Sequence, residues 1–407
     1  MNELPVGRRV AQWRVRRNMT QQQFADRLGK SKSWVDKVER GVRRLERVSN
    51  LREIAETLRI DVEVLLATRP LRPNPVAAGV DGIRTALARY HLEGTTDPPL
   101  VELRARLEHA EQSYRHARYA ALLALLPGLL DAVRAAHPVR ADGLVDDLLV
   151  RAYVLTALVL VKVDQGELAW LAADRAMAGA LAADDPGRGV LQRGGLPRQP
   201  GPVGSVAELT AVATVSLSQA LRSRGRRRSA VDAALVAADR VGAHGVGGES
   251  AAGLSLRGTL FVQAALAAAG GGDAPVARQS LDRAGETAHS GGGGSFGHAA
   301  VEAARVVVEA ALGDVATATA RHERLVAGDE WRWLPPEHRA AYLLDVARVH
   351  ALAGDMLRAG RTLLAAERAA HSEVHDRPAM RRLVAVVWRS ADAPAELTQL
   401  AATLRLT

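Results

Sequence analysis

Thr20-Gln-Gln-Gln-Phe-Ala-Asp-Arg-Leu-Gly-Lys-Ser-Lys-Ser-Trp-Val-Asp-Lys-Val-Glu-Arg-Gly41 decides how the chain begins to fold. Thr20 followed three residues later by Gln23 spells a capping box, in which hydroxyl and side-chain amide each satisfy a free backbone N–H at a helix start. The helix it opens runs to Leu28, buries Phe24, Ala25 and Leu28, and ends at Gly29, which is free to take a left-handed turn. Ser31 caps the next helix, residues 32–40, which stops at Gly41. Val35 and Val38 form its inward stripe, while Lys32, Ser33, Asp36 and Lys37 share the outward face. A helix that projects from such a turn fits the DNA major groove, where its N-terminal residues reach base edges.

Working outward, residues 6–17 read as a preceding helix with Val10, Trp13 and Arg14 on related faces, and Asn18-Met19 as a turn. A fourth helix near residues 48–58 buries Leu51, Ile54, Ala55 and Leu58, and a fifth over residues 62–66 closes the domain. Charge separates this head from the rest. Residues 1–69 hold 16 Lys/Arg against 9 Asp/Glu, whereas the remaining 338 residues hold 38 against 36. A small basic domain on a nearly neutral body points to a polyanion partner, nucleic acid first.

These residues resemble the helix-turn-helix of phage repressors and the bacterial XRE family: Thr-Gln-x-x-Phe-Ala, then Leu-Gly, then Ser-x-Ser-x-Val-x-x-Val-Glu-x-Gly. The resemblance spans residues 6–66. It implies that Lys32, Ser33 and Lys37 read bases and that Gln21 holds a phosphate; Ser31, Trp34, Arg40, Arg43 and Arg44 are further phosphate candidates around the same rim. It also implies a structural ion pair between Arg14 and Glu39. Trp34 stands where the family has a small residue, and packing on sugar-phosphate or partial burial are both open to it.

Pro70, Pro73 and Pro75, with the polar stretch 93–99, mark a linker over residues 70–99 around one short helical piece. From residue 100 onward the phrase Gly-x4-Ala recurs at Gly225/Ala230, Gly272/Ala277, Gly313/Ala318 and Gly354/Ala359, at spacings of 47, 41 and 41 residues. Ala237, Ala284 and Ala366 recur further along the second helix. A looser copy starts at Gly166, with Ala172 and Ala173 in place of the Ala. Small residues at fixed spacing let the two helices of a hairpin approach closely, and stacked hairpins make a solenoid. Residues 186–205 contain ten Gly or Pro and residues 291–294 are a glycine run, so both read as loops. The fold expected is all-α: a five-helix helix-turn-helix domain over residues 1–69, then a tetratricopeptide-like α-solenoid over residues 100–407.

Other chemistry is poorly supported. With no Cys there are no disulfides, thiolate metal sites or cysteine nucleophiles. Gly29-Lys30-Ser31 lacks the leading glycine and strand of a P-loop. The cluster Gly242, Gly245, Gly247 and Gly248 follows a helix, not the strand of a dinucleotide fold. His371-Ser-Glu-Val-His375 puts two imidazoles one turn apart, but Glu373 is one place off the zinc-protease pattern and no third ligand is evident, so it reads as a surface helix. No enzyme, cofactor or metal is expected. Trp170, Asp174 and Arg175 are the candidates for a ligand site on the concave face, against core packing with a solvated ion pair. Trp331-Arg-Trp-Leu-Pro-Pro336 reads as a stiff loop over a pocket or over the end of the array. Residues 153–161 stop at Lys162, short of the ~18 apolar residues of a membrane span, and the start of the chain lacks a secretory pattern.

A DNA-reading head on a tetratricopeptide-like array is similar to a large group of bacterial regulators in which the array dimerises and senses a signal. The resemblance implies a cytoplasmic, nucleoid-associated homodimer on a pseudo-palindromic operator, with a small-molecule or peptide ligand in the array. The Arg- and Ala-rich, Lys-poor composition suggests a GC-rich genome of actinobacterial type. The alternative is an antitoxin or adaptor whose array grips a partner protein and whose DNA binding is autoregulatory.

Overall fold

A computed structural model describes the chain apart from residues 1–5, 18, 44, 46–47, 61, 63–64, 66–73, 91–97, 138–142, 184–205, 244–249, 291–295 and 407. The two loops read from composition, residues 186–205 and 291–294, lie outside the described residues, as do Gly245, Gly247 and Gly248. Among the described residues every regular element is helical. The chain divides into two compact units, Met1–Asn74 and Pro75–Thr407.

In the first unit, α1 (Val6–Arg16), α2 (Gln21–Arg27), α3 (Lys32–Glu39) and α4 (Val48–Leu58) enclose Val10, Phe24, Ala25, Leu28, Val35, Ile54 and Leu58. Of the fifth helix only Val62 and Leu65 are described, and Leu65 is buried in the same core. Gly7 lies so close to α3 that a Cβ there would sit 1.9 Å from the Val38 carbonyl oxygen. Only a hydrogen fits, so α1 and α3 meet backbone to backbone.

The second unit begins with α5 (Pro75–Ala88). Residues 75–88, expected inside a linker, are instead part of its core. Val80, Ile83 and Leu87 fall on one helical face and pack into the main apolar cluster. Gly79 lets α5 approach closely, since a Cβ would come within 2.5 Å of the Leu123 Cβ.

Six helical hairpins follow. They pair α6 (Leu100–Arg115) with α7 (Tyr119–Ala136), α8 (Gly143–Lys162) with α9 (Gly166–Ala182), and α10 (Val206–Ser223) with α11 (Arg227–Ala243). Next come α12 (Ala251–Gly270) with α13 (Ala274–Ser290), α14 (His298–Ala311) with α15 (Val315–Ala327), and α16 (Pro336–Leu352) with α17 (Met356–Ala369). One turn joins the helices of each pair. Gly225, Gly272, Gly313 and Gly354 take φ between 75° and 93°, and the Ala five places on (Ala230, Ala277, Ala318, Ala359) is buried between the paired helices. After each turn residue, the next N–H reaches back five residues to a carbonyl, as from Asp314 to Glu309 at 2.9 Å. This closes a Schellman motif. At three turns an Asp follows the Gly (Asp273, Asp314, Asp355) and its carboxylate accepts a backbone N–H three residues on, so one helix end caps the next start.

Two turns escape the sequence pattern. The copy read at Gly166 is set two residues earlier: Asp164 takes φ 61° and the buried small residue is Ala169. Ala117, with φ 52°, makes the first such turn and buries Leu122 five places on. Gly313→Ala forces a Cβ into the left-handed region and is expected to cost about 1–2 kcal/mol. Gly128→Ala, inside α7 with open space around it, is expected to add about 0.5–1 kcal/mol. Denaturant midpoints of the two variants should therefore move in opposite directions.

The first helices of successive hairpins pack on one another from α6 to α16, and each second helix packs on its own partner. Two helices, α7 and α12, are long and apolar enough by composition to cross a membrane, longer than the run of residues 153–161 noted in the sequence. Both carry buried core faces, for example Leu122, Leu126 and Val133 on α7. After α17 come α18 (His371–His375), α19 (Pro378–Trp388) and α20 (Leu397–Thr403). Trp331, in the 3-10 turn Asp329–Trp333, meets Tyr342 edge to face at 5.3 Å and packs on the core, whereas Trp333 is 85% exposed.

Candidate nucleic-acid interface

The helix pair of the first unit is built by local chemistry. Thr20 Oγ1 accepts the Gln23 N–H at 3.2 Å and Gln23 Oε1 accepts the Thr20 N–H at 2.9 Å. Gly29 takes φ 60°, and the Lys30 N–H closes the turn on the Ala25 carbonyl at 3.0 Å. Ser31 Oγ accepts the Trp34 N–H at 3.1 Å, so its hydroxyl caps α3. Val35 and Val38 are buried, while Lys32, Ser33 and Lys37 are exposed on the opposite side. The helix N-terminus adds partial positive charge next to Lys32 and Ser33.

Charge around this face is selectively neutralised. Arg40 pairs with Asp36 one turn earlier, and Lys30 stands 3.9 Å from Glu53. Among the described residues neither Lys32 nor Lys37 has an acidic partner. Two lysines therefore carry uncompensated charge beside Ser33. Arg43 lies with its guanidinium 5.9 Å from the Trp34 ring centre, and the indole also packs against the domain core. The Trp34 side chain is half-buried, and its ring shelves Arg43. Arg44 lies outside the described residues.

Beneath the face, Arg14 forks onto Glu39 with Nε–Oε1 2.6 Å and Nη2–Oε2 3.0 Å, and donates to the Met19 carbonyl at 2.7 Å. Glu39 is buried, so this bidentate pair fixes α3 on α1. Gln21 joins it, its Nε2 donating to Glu39 Oε2 at 2.8 Å. One N–H of that amide is thus engaged internally and the other is left for an outside acceptor. The Gln21–Glu39 bond and the Gly7 approach were not evident from sequence, because each depends on how α1, α2 and α3 are stacked.

In the second unit Trp170, Asp174 and Arg175 lie on α9, the second helix of its hairpin. Trp170 is 44% exposed rather than core, and Asp174 is exposed beside it. Arg175 lies 5.3 Å from the Tyr90 ring centre and donates to its hydroxyl at 3.3 Å.

The polar feature that sequence reading missed is deep in this unit. Glu373 on α18 is fully buried and accepts from Tyr119, from Lys162 Nζ at 2.7 Å, and from Arg377. Lys162 also pairs with Glu337. Burial alone would raise the Glu373 pKa, but Lys162, Arg377 and the Tyr119 hydroxyl outweigh it and pull it down to about 2. Burial pushes the Lys162 pKa down, yet Glu337 and Glu373 bring it out above its ordinary value. Burial and the same carboxylates raise the Tyr119 pKa, keeping it a donor. Two cations and two carboxylates thus tie the last hairpin and α18 to the first two hairpins. The only trace in the sequence was Lys162, the single lysine beyond residue 37, ending an apolar run.

Residues 5–67 match the family model described as a helix-turn-helix domain. The described residues of this stretch carry the helix pair and turn of such a domain, α2 and α3 joined at Gly29. No curated protein matches the chain. Among solved structures, one similar chain is PlcR of Bacillus thuringiensis, in complex with the peptide PapR7 and DNA, at 12% identity. The alignment covers 87% of this chain and 98% of that one, with a TM-score of 0.31.

Proposed function

We propose that the protein is a sequence-specific transcriptional regulator that binds operator DNA as a homodimer. The observation that carries this reading is the exposed Lys32–Ser33–Lys37 face on α3, whose lysines have no acidic partner among the described residues, with Val35 and Val38 buried. Lys37 and Lys32 donate to guanine O6 and N7, and Ser33 adapts to more than one base. Gln21, Ser31, Trp34, Arg40 and Arg43, with Arg44, set the register on phosphates. Arg40 exchanges Asp36 for a phosphate when it does so.

Two chains pair through residues 75–407 and present two α3 helices about 34 Å apart, which reads a pseudo-palindrome with half-sites one helical turn apart. A small molecule or peptide held by the array alters that spacing by preferring one arrangement. A hundredfold preference supplies about 2.7 kcal/mol, enough to switch a poised dimer. The protein acts where the DNA is, in the cytoplasm.

Genome-wide mapping of bound DNA followed by binding to the recovered site tests this. A two-fold symmetric site and a two-to-one protein–duplex complex are expected. Random bound sequences, or protein that ignores DNA at low salt, overturn the proposal. Arg43→Ala should lower the slope of log affinity against log salt by about one unit, as expected for one phosphate contact. An unchanged slope removes Arg43 from the interface.

A further inference from the structure

We infer that Glu367, His371 and His375 form a binding site for a borderline divalent transition metal such as Zn(II), at the junction of α17 and α18. On a continuous α-helix, residues eight apart stand about 12 Å apart along the axis and cannot share an ion. Here the helix breaks. Ala370 takes an extended conformation, φ −158° and ψ 103°, between the end of α17 and the start of α18. The break folds the three side chains together, so that their ligand atoms lie within 4.8 Å of one another.

The separations suit a metal. Donors held 2.0–2.2 Å from a tetrahedral ion stand about 3.3 Å from each other. His371 Nδ1 lies 2.9 Å from Glu367 Oε1, and His375 Nε2 lies 3.7 Å from the same oxygen. The two imidazoles stack with ring centres 3.5 Å apart and planes within 20°. His375 Nε2 is buried with no hydrogen-bond partner among the described residues, and a buried imidazole nitrogen of that kind calls for an acceptor, a donor or an ion. His375 and Glu367 are largely covered while His371 is exposed. Two imidazoles and a carboxylate with one side open is a donor set that zinc accepts, with water in the fourth position. The sequence showed only the two histidines; the third ligand precedes the break.

The site is set around the buried network. Glu373, which holds Tyr119, Lys162 and Arg377, lies between the two histidines in α18. An ion that staples α17 to α18 therefore steadies the segment that closes the array.

The test uses the full-length protein freed of metal by chelator. Titration with Co(II) should give visible d–d bands of a four- or five-coordinate nitrogen–oxygen site at one ion per chain, and Zn(II) should bleach them. Saturating Zn(II) should raise the melting temperature. His375→Gln and Glu367→Gln should each weaken Zn(II) binding at least about tenfold, with helical circular dichroism retained. His322→Gln, away from the site, should leave binding unchanged. Absence of the Co(II) bands, or Zn(II) binding that survives both ligand variants, overturns the assignment. If His375→Gln lowers helicity, Glu367→Gln alone decides.

Discussion

Glu373→Ala should remove about 3–5 kcal/mol from the stability of the helical array, the largest loss expected of any single substitution here. The magnitude follows from what is left behind. Lys162 and Arg377 stay at a site already out of water, Lys162 keeping only Glu337, and the Tyr119 hydroxyl loses its acceptor. A buried cation without its counter-charge costs far more than the intact pair contributes. Denaturant unfolding followed by helical circular dichroism measures the loss, and a change below about 1 kcal/mol would mean the network is open to solvent. Lys162→Met combined with Glu373→Gln should recover part of the loss, since a charge and its partner are removed together.

The same network fixes a pH dependence. Glu373 has its folded-state pKa depressed to about 2, against about 4.3 in an unfolded chain. Its contribution is therefore present above about pH 4.3 and is lost as pH falls toward 2. Lys162 is raised, so its contribution is present below its unfolded value and is lost only as pH rises through the folded one. Burial also lowers the pKa of His322, His338 and His350, so stability of the second unit should begin to fall below about pH 6.5, and Glu373→Gln should flatten only the part of that limb below about pH 4.3.

Lys37→Ala should weaken operator binding by about 1–3 kcal/mol, or roughly 5- to 150-fold, with the loss concentrated at one base position of each half-site. Arg40 is answered by Asp36 and Glu39 by Arg14, so among the described residues Lys37 and Lys32 are the α3 cations still to be paired. Lys37 is exposed, on the side of α3 away from Val35 and Val38, and removing it leaves the domain core intact. Affinity measured across operators mutated one base pair at a time distinguishes the roles. A loss that vanishes when one guanine is replaced marks base reading. A loss equal on every duplex, with a reduced salt slope, would make Lys37 a phosphate contact instead.

The helices of the first unit and four of the hairpin turns of the second were legible along the chain, because the interactions that set them span five residues or fewer. Thr20 with Gln23, Ser31, Gly29 and the four glycines from Gly225 to Gly354 act through caps and left-handed turns that a linear pattern displays. Where an ordinary residue takes the same backbone conformation, as at Ala117 and Asp164, the pattern carries no mark and the hairpin is invisible or misplaced. Burial of α5 was hidden by the prolines before it, which say where a helix cannot run and nothing of what it packs against.

Stacking decided the rest. Lys162 and Glu373 are separated by 211 residues, and their meeting depends on the small rotations between six successive hairpins, none of which is written at either position. The exposure of Trp170, the tie from Gln21 to Glu39 and the convergence of Glu367 with His371 and His375 likewise follow from interhelical angles and one extended residue. Side-chain packing sets those angles collectively, whereas a cap or a turn is settled by its own neighbours.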